Sequence, residues 1–366
     1  MAYRQTYLKV DLDAIAFNIK SIKYHCNKEI IGVIKANGYG VGALAMAEAL
    51  IKENALMLAV SSLDEALYLR NNKIQKDIII MGYTAPKDIP VAIKNNFIVV
   101  TPSLDWVKQI ASYDVKHLRL HIKIDTKMNR LGITDQEDWL TALVLLQKLG
   151  VKIEGVMTHY ASSDDDDNKV TSQQYQLFEK FLSMTDYKFR WIHASNSDAI
   201  FHFDQEKITN AVRPGVALLG YAKYDEDLMP ALGLYSRIAL VKHVAAGATI
   251  SYGCTYTAEK DEIIATIPIG YADGFTRRNQ GRYVYVNGEK AEVVGAVCMD
   301  QCMIRLEKDA KVGDEVEIFG PHIKLQTMAE ETATALNEII TLLSLRVTRI
   351  YYHGKNLPNK QKRARR

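Results

Sequence analysis

The stretch Ile30-Ile31-Gly32-Val33-Ile34-Lys35-Ala36-Asn37-Gly38-Tyr39-Gly40 decides the reading of the fold. Five residues without a polar side chain run straight into a lysine. The chain then breaks at a turn holding two glycines. Similar short runs, rich in Val, Ile and Leu, recur at 57–60, 78–81, 97–100, 118–124, 153–157, 189–192 and 211–212. Brief, continuously apolar runs are the pattern of parallel strands buried on both faces. Between them lie stretches with apolar residues at helical spacing: 43–52, 63–71, 136–149 and 171–182. Ser62, Thr134 and Ser172 are the expected start signals for three of these. Eight strand–helix units in roughly 200 residues fit a (β/α)₈ TIM-like barrel. An open doubly wound sheet would usually carry a Gly-x-Gly-x-x-Gly after its first strand, and none follows residue 34.

Beyond about residue 229 the texture changes. Short alternating runs at 234–243, 249–252, 262–269, 283–286, 291–297, 303–306 and 315–319 predict a mainly β C-terminal domain. Asn287-Gly288 between two such runs is a hairpin signal, and 312–315 reads as a turn entering a strand. The first helical stretch of this part spans 325–345. Residues 1–13 alternate like a strand and offer no apolar signal core; the first ten or so residues are expected to be a strand that joins the C-terminal domain. The expected organisation is a barrel over 1–228, a β-rich domain over 229–354, and a disordered basic tail over 355–366. The aspartates 164–167 read as a solvated loop, and no metal site is expected.

The 366 residues are 48% hydrophobic and 24% charged, which excludes collagen-like and disordered classes. The net charge is +3, and residues 360–366 hold five of the cations, so the body is close to neutral. That argues against nucleic acid as a partner. No run of 18 apolar residues occurs, so no membrane-spanning helix and no membrane contact are expected. The four cysteines, Cys26, Cys254, Cys298 and Cys302, make no disulfide framework and no zinc pair. The expectation is a cytoplasmic, reduced protein.

In barrels the chemistry gathers at the C-terminal ends of the strands. Here those ends deliver Lys35, then Lys123, Asp125 and Arg130, then His159 and Tyr160. His193 with Ser195-Asn196-Ser197, and Arg213-Pro214-Gly215, complete the set. Cations, imidazoles, small hydroxyls and a glycine turn suit an anion that also presents a ring. Lys35 follows five apolar residues. A desolvated ammonium has a lowered pKa, which frees the amine to form a Schiff base.

The stretch 33–40 resembles the pyridoxal-phosphate signature of the alanine racemase family. The resemblance continues through Val10-Asp11-Leu12-Asp13, 123–126, 128–132, Thr158-His159-Tyr160, 193–197, Arg213-Pro214-Gly215, Ser251-Tyr252-Gly253, 270–274, Cys298-Met299-Asp300 and Arg346-Val347. It covers nearly the whole chain. It implies pyridoxal 5'-phosphate carried on Lys35. Tyr39, Ser197, Gly215 and Val216 are implied around the phosphate, with Asn196 and His159 also in the cofactor set. Arg213 is implied at the ring nitrogen and Arg130 at the phenolic oxygen. Lys123 matches a lysine carboxylated in many members. Lys35 and Tyr252 are implied as the two acid/bases, one for each face of Cα. Arg130, Tyr271, Met299 and Asn337 are implied at the substrate. In the family the residues matching Tyr252, Tyr271 and Met299 come from the other subunit, which implies a homodimer with a shared active site.

Four positions depart from the family pattern. Val41 replaces a histidine, Lys127 a glycine, Ala296 an arginine and Asn337 a tyrosine. Asn337 would open the pocket and add an amide, so serine is expected as a substrate beside alanine. The same departure resembles the serine racemase domains of vancomycin-resistance systems, which are fused behind a membrane-spanning domain. The expected role is racemisation of a small amino acid for peptidoglycan precursors. A pyridoxal-phosphate decarboxylase of similar fold and a non-catalytic cofactor-binding protein are the rival readings.

Overall fold

The computed structural model describes residues 3–204, 206–224 and 227–354; the tail expected over 355–366 lies outside them. The chain divides into two compact units. One comprises Ala14–Gly38 and Ala43–Pro230; the other takes the described residues up to Asp13, Tyr39–Gly42 and those from Ala231 onward. The division near 230 lies beside the boundary read at 228. The excursion of four residues at Tyr39–Gly42 had no signal in the sequence.

After β1 (Tyr7–Asp11) the chain supplies the barrel: β2 (Glu29–Val33), β3 (Met57–Val60), β4 (Ile78–Ile80), β5 (Ile98–Thr101), β6 (Arg119–Lys123), β7 (Lys152–Met157), β8 (Trp191–His193) and β9 (Ala211–Val212). All pair in parallel in sequence order, and β9 closes on β2 through Glu29↔Ala211 and Ile30↔Val212. Every residue of β3, β4 and β5 is buried, as continuous apolar runs require. Helices alternate with the strands and bury one stripe each: Leu63–Asn71 buries Ala66 and Leu69, and Gln136–Lys148 buries Trp139, Ala142, Leu143 and Leu146.

Ser62 caps its helix as expected, accepting from the Glu65 amide. The other two start signals move. Asp135, not Thr134, caps Gln136–Lys148, because its carboxylate reaches two amides at once, those of Glu137 and Asp138. The helix read from 171 begins at Lys169, directly after Asn168 in a left-handed conformation (φ 52°), so Ser172 lies inside it.

One irregularity shapes the barrel floor. The β6–β7 register shifts so that Leu120 faces Ile153 while His121 faces Gly155. Glu154 is the extra residue of this bulge. Its buried carboxylate takes two hydrogen bonds from Arg119 (2.8 and 2.9 Å), and the same guanidinium grips Asp77 at 2.7 and 2.8 Å. Paired in this way, the buried Glu154 carboxylate avoids the cost of an isolated ion.

The second unit is built on a nine-stranded sheet. Its strands are β1, β10 (Leu232–Arg237), β11 (Leu240–Val244), β14 (Glu262–Ile267), β15 (Tyr283–Val286), β16 (Glu289–Val294), β17 (Cys302–Leu306), β18 (Glu315–Phe319) and β19 (Thr348–Tyr352). The order is β11-β14-β17-β16-β15-β18-β10-β1-β19. A separate ribbon pairs β12 (Thr249–Ile250) with β13 (Tyr256–Thr257). β1 lies antiparallel to β10 and parallel to β19, with Leu8 and Val10 fully buried. The Asn287-Gly288 turn has φ of 48° and 89°, the two positive values a type I′ hairpin needs.

Two runs read as single elements are each two. The run 234–243 splits because Ile238 and Ala239 switch hydrogen-bond partners, to Asp314 and Thr266, and send β10 and β11 to different neighbours. The helical stretch 325–345 splits into Leu325–Glu331 and Leu336–Leu342, where Ala333 turns left-handed (φ 50°).

Candidate active site

In the barrel unit, β2 ends two residues before Lys35, and the chain then does something unusual. Ala36 (φ 51°), Asn37 (55°), Gly38 (63°) and Tyr39 (56°) take successive left-handed conformations. Each non-glycine residue there costs about 1–2 kcal/mol. Three contacts offset that cost. Glu65 accepts from the Ala36 amide at 2.6 Å and from the Ser61 amide at 2.7 Å. Asn37 Oδ1 accepts from the Ala43 amide at 2.9 Å, and Gly38 N–H donates to the Ile34 carbonyl at 2.8 Å. Glu65, on the first turn of Leu63–Asn71, thus spans a helix start and the lysine turn. Nothing in the sequence singles it out for this role.

Lys35 is half-buried. Burial, then the nearby Arg130, lower its pKa, while Glu65 pulls it back up. Tyr39 lies in the same left-handed run, which Gly40 (φ 78°) continues, and burial pushes its hydroxyl up to about 12. Lys123, at the end of β6, is buried. Burial, Arg130 and Arg213 bring its amine down to about 8. Arg130 is exposed. Its backbone is fixed by Asp125, whose carboxylate accepts from the amides of Met128, Asn129 and Arg130 at 2.8, 3.0 and 2.9 Å. Lys127, where the family pattern has glycine, sits in this turn at φ 78°.

Arg213 occupies the centre and is 3% exposed. Its Nη1 meets His193 Nδ1 at 2.7 Å. Its Nη2 meets the Thr158 carbonyl (2.7 Å), the Ala194 carbonyl (2.6 Å) and His159 Nδ1 (2.9 Å). A guanidinium can only donate, so both imidazoles must accept at Nδ1 and carry their protons on Nε2. Burial and Arg213 hold both histidines well below the usual imidazole range, and Arg130, Lys123 and Lys35 add to this at His159. Both are neutral at working pH. Among the described residues no carboxylate lies within ion-pair distance of Arg213. Among the described residues no hydrogen bond runs from its Nε–H, and Nη1 makes one only.

Ser197 Oγ accepts from the amides of Gly215 (3.0 Å) and Ala217 (3.2 Å), which leaves its own proton to donate outward. Val216 starts the short turn Val216–Leu219 beside it. Asn196 Oδ1 accepts from the Ala199 amide and from Ser163, so that side chain is a helix cap. Two supports gave little signal in sequence. Gln174 ties Thr126, His159 and Ala161 together. Buried Glu206 accepts from Tyr160 (2.8 Å), Ser195 (2.8 Å) and Lys28 (3.0 Å), binding three segments far apart in the chain.

In the β-rich unit, Tyr252, Met299 and Tyr271 are 75%, 53% and 44% exposed. Hydrogen bonds gather their loops. Ser251 Oγ donates to the Ala296 carbonyl (2.5 Å) and lies 3.4 Å from Cys298 Sγ; the amides of Tyr271 and Ala272 donate to the carbonyls of Cys298 and Met299 at 3.0 Å each. Ser251 (φ 67°) and Gly253 (φ 71°) flank Tyr252 in left-handed conformations. Asn337 is exposed on Leu336–Leu342. No helix among the described residues is long and apolar enough to cross a membrane. No group of metal-ligating side chains occurs among them either.

The donor set in the barrel unit fits pyridoxal 5'-phosphate: an amine of lowered pKa, an outward hydroxyl over two amides, and a guanidinium with spare N–H groups. Residues 10–223 match the family model described as "Alanine racemase, N-terminal domain", and 231–351 match "Alanine racemase, C-terminal domain". The chain is 41% identical to the alanine racemase of Staphylococcus carnosus, over 95% of each chain. It is 38% identical to that of Staphylococcus epidermidis, over 97% of this chain and 96% of the relative. The crystal structure of the alanine racemase from Bacillus anthracis with bound L-Ala-P superposes with a TM-score of 0.92 at 36% identity, covering 97% of this chain and 96% of that one.

Glu65→Ala should destabilise the protein by about 1 kcal/mol, a charge-assisted pair discounted for exposure. Urea unfolding measures this, and an unchanged midpoint would show that the left-handed turn stands without the carboxylate.

Proposed function

The chain belongs to the alanine racemase family, and on that footing we propose that it interconverts the L- and D-enantiomers of alanine, and of serine, by two-base proton transfer at Cα. It is an isomerase of the amino-acid racemase class and depends on pyridoxal 5'-phosphate. The D-amino acid would supply peptidoglycan precursors, in the cytoplasm. The observation that carries the reading is the Arg213 arrangement, in which two imidazole lone pairs and two carbonyls consume part of the guanidinium and leave N–H groups that would suit a ring nitrogen.

When bound, the cofactor supplies the electron sink that acidifies the Cα–H bond. The amine of Lys35 would hold it and, once released by substrate, take or return the Cα proton on one face. Its lowered pKa keeps a larger share of that amine unprotonated and able to accept. Arg213 would donate to the ring nitrogen without giving up a proton, which keeps the sink weak and disfavours side reactions such as transamination. Ser197 would donate to the phosphate, with Tyr39 and the amides around Val216. Arg130 would face the phenolic oxygen and the substrate carboxylate. Tyr252 would serve the opposite Cα face. Its exposure, shared with Tyr271 and Met299, suits residues lent to a second copy of the chain, which makes the active form a homodimer. A phenol needs support to act as a base at neutral pH, and the outward Nε2–H of His159 is a suitable donor.

Lys123 would be carboxylated. An amine near 8 is partly neutral and nucleophilic, and the product replaces a buried cation beside two arginines with an anion. A carbamate signal in the ¹³C spectrum of protein equilibrated with ¹³C-bicarbonate is expected, and its absence would refute the assignment.

Purified protein should erase the optical rotation of L-alanine without releasing carbon dioxide. Lys35→Ala should lose both that activity and the visible cofactor band. A band that survives the substitution would overturn the role given to Lys35, and gas release would favour a decarboxylase.

Asn337, where the family pattern has tyrosine, offers an amide to a hydroxymethyl side chain. Asn337→Tyr should reduce kcat/KM for L-serine by about tenfold more than for L-alanine, the usual worth of one lost polar contact. Equal losses on both substrates would remove the basis for serine activity.

A further inference from the structure

A file of three side chains runs inward from the site within the barrel unit. Arg213 Nη1 lies 2.7 Å from His193 Nδ1, and His193 Nε2 lies 2.8 Å from His121 Nδ1. His121 and His193 are fully buried. The donor at one end sets every proton in the file. Arg213 cannot accept, so His193 accepts at Nδ1 and donates from Nε2. His121 therefore accepts at Nδ1 and carries its own proton on Nε2, a buried nitrogen with no hydrogen-bond partner among the described residues.

The barrel is built around that last ring. The bulge at Glu154 places Gly155 opposite His121. A Cβ at 155 would stand 2.8 Å from His121 Cε1, 2.9 Å from its Nδ1 and 2.8 Å from the Trp191 carbonyl. The strand gives up a side chain where the imidazole sits. An apolar residue at 121 would satisfy a barrel core at lower cost than a polar ring with an unpaired N–H.

We propose that His121 is a positioning residue: through His193 it fixes the orientation of Arg213 and so aims the remaining guanidinium N–H groups at the cofactor ring. This rests on the role given to Arg213 above. The file works without charge. Burial brings His121 down to about 3, so neither imidazole adds a cation beside Arg213 across the working range.

The first test needs no cofactor and no substitution. In full-length apo protein labelled with ¹⁵N-histidine, long-range ¹H–¹⁵N correlation should place the protons of both His193 and His121 on Nε2, unchanged between about pH 5 and 8. An Nδ1–H tautomer or a protonated ring at either position would overturn the proposal. The second test separates positioning from space-filling. His121→Asn keeps an acceptor near the Nδ1 position and His121→Leu does not. In variants whose circular dichroism matches the parent, His121→Leu should weaken cofactor binding by about tenfold, as loss of a partner behind a ligand commonly does, and should shift the visible band. His121→Asn should stay close to the parent in both. Equal behaviour of the two variants, or a milder loss in leucine, would mean that the ring only fills space. If neither variant folds, the tautomers of the parent decide. They also stand apart from the function itself: a parent protein with no visible band in the presence of cofactor would sink the reading of the site, whatever the histidine spectra show.

Discussion

A buried arginine with no carboxylate in contact among the described residues is the constraint around which the barrel is arranged. Removing a guanidinium from water is costly, and a paired acid is the common remedy. Here the compensation comes from neutral acceptors: two backbone carbonyls and two imidazole lone pairs, with the Glu206 carboxylate acting only at longer range. The choice has a chemical logic. A carboxylate on Arg213 would compete for the hydrogens that the proposed contact to a ring nitrogen requires. Lone pairs that are fixed in direction occupy part of the fork and leave the remainder aimed. Neutral histidines are suitable for this only while they stay neutral, and burial beside a permanent cation ensures it.

The two side chains given proton-transfer roles share a second property. Both sit in backbone that most residues avoid. Lys35 leads into five residues at positive φ, Ala36 to Gly40, and Tyr252 stands between Ser251 and Gly253, both at positive φ. Such conformations persist only where the surroundings hold them. Glu65 and Asn37 hold the first, and the Ser251–Ala296 hydrogen bond with the Tyr271–Cys298 pairing holds the second. The lysine turn and the tyrosine loop are therefore specified by residues other than the two given proton-transfer roles.

Much of this was legible in sequence, for reasons that can be named. Continuous apolar runs gave the barrel strands because strands buried on both faces have no polar side to confuse the period. Strand-end position gave Lys35, His159, His193 and Arg213. What escaped depends on contacts between residues far apart in the chain. Nothing near Glu206 announces that it will meet Tyr160, Ser195 and Lys28. His121 lay inside a run read correctly as a strand, and only the one-residue slip at Glu154 shows why a polar ring fits there. β19 was missed because it is an edge strand with Ile350, Tyr351 and Tyr352 partly exposed, so its period is weak. The break between β10 and β11 is a change of hydrogen-bond partner, which leaves no mark in hydropathy. The cap moved from Thr134 to Asp135 because one carboxylate can serve two amides, a preference finer than residue class.

The excursion at Tyr39–Gly42 bears on how the chain could be dissected. A gene cut once near codon 230 looks natural, since the two family models meet close by. Yet β1 pairs with β10 and β19, Arg349 holds the Gly40 carbonyl at 2.8 Å, and Tyr351 holds that of Val41 at the same distance. The upstream fragment would carry a strand and a loop stripped of their partners, and the downstream fragment a sheet with its penultimate strand deleted. Neither half is an autonomous piece, although a linear map of the polypeptide suggests two.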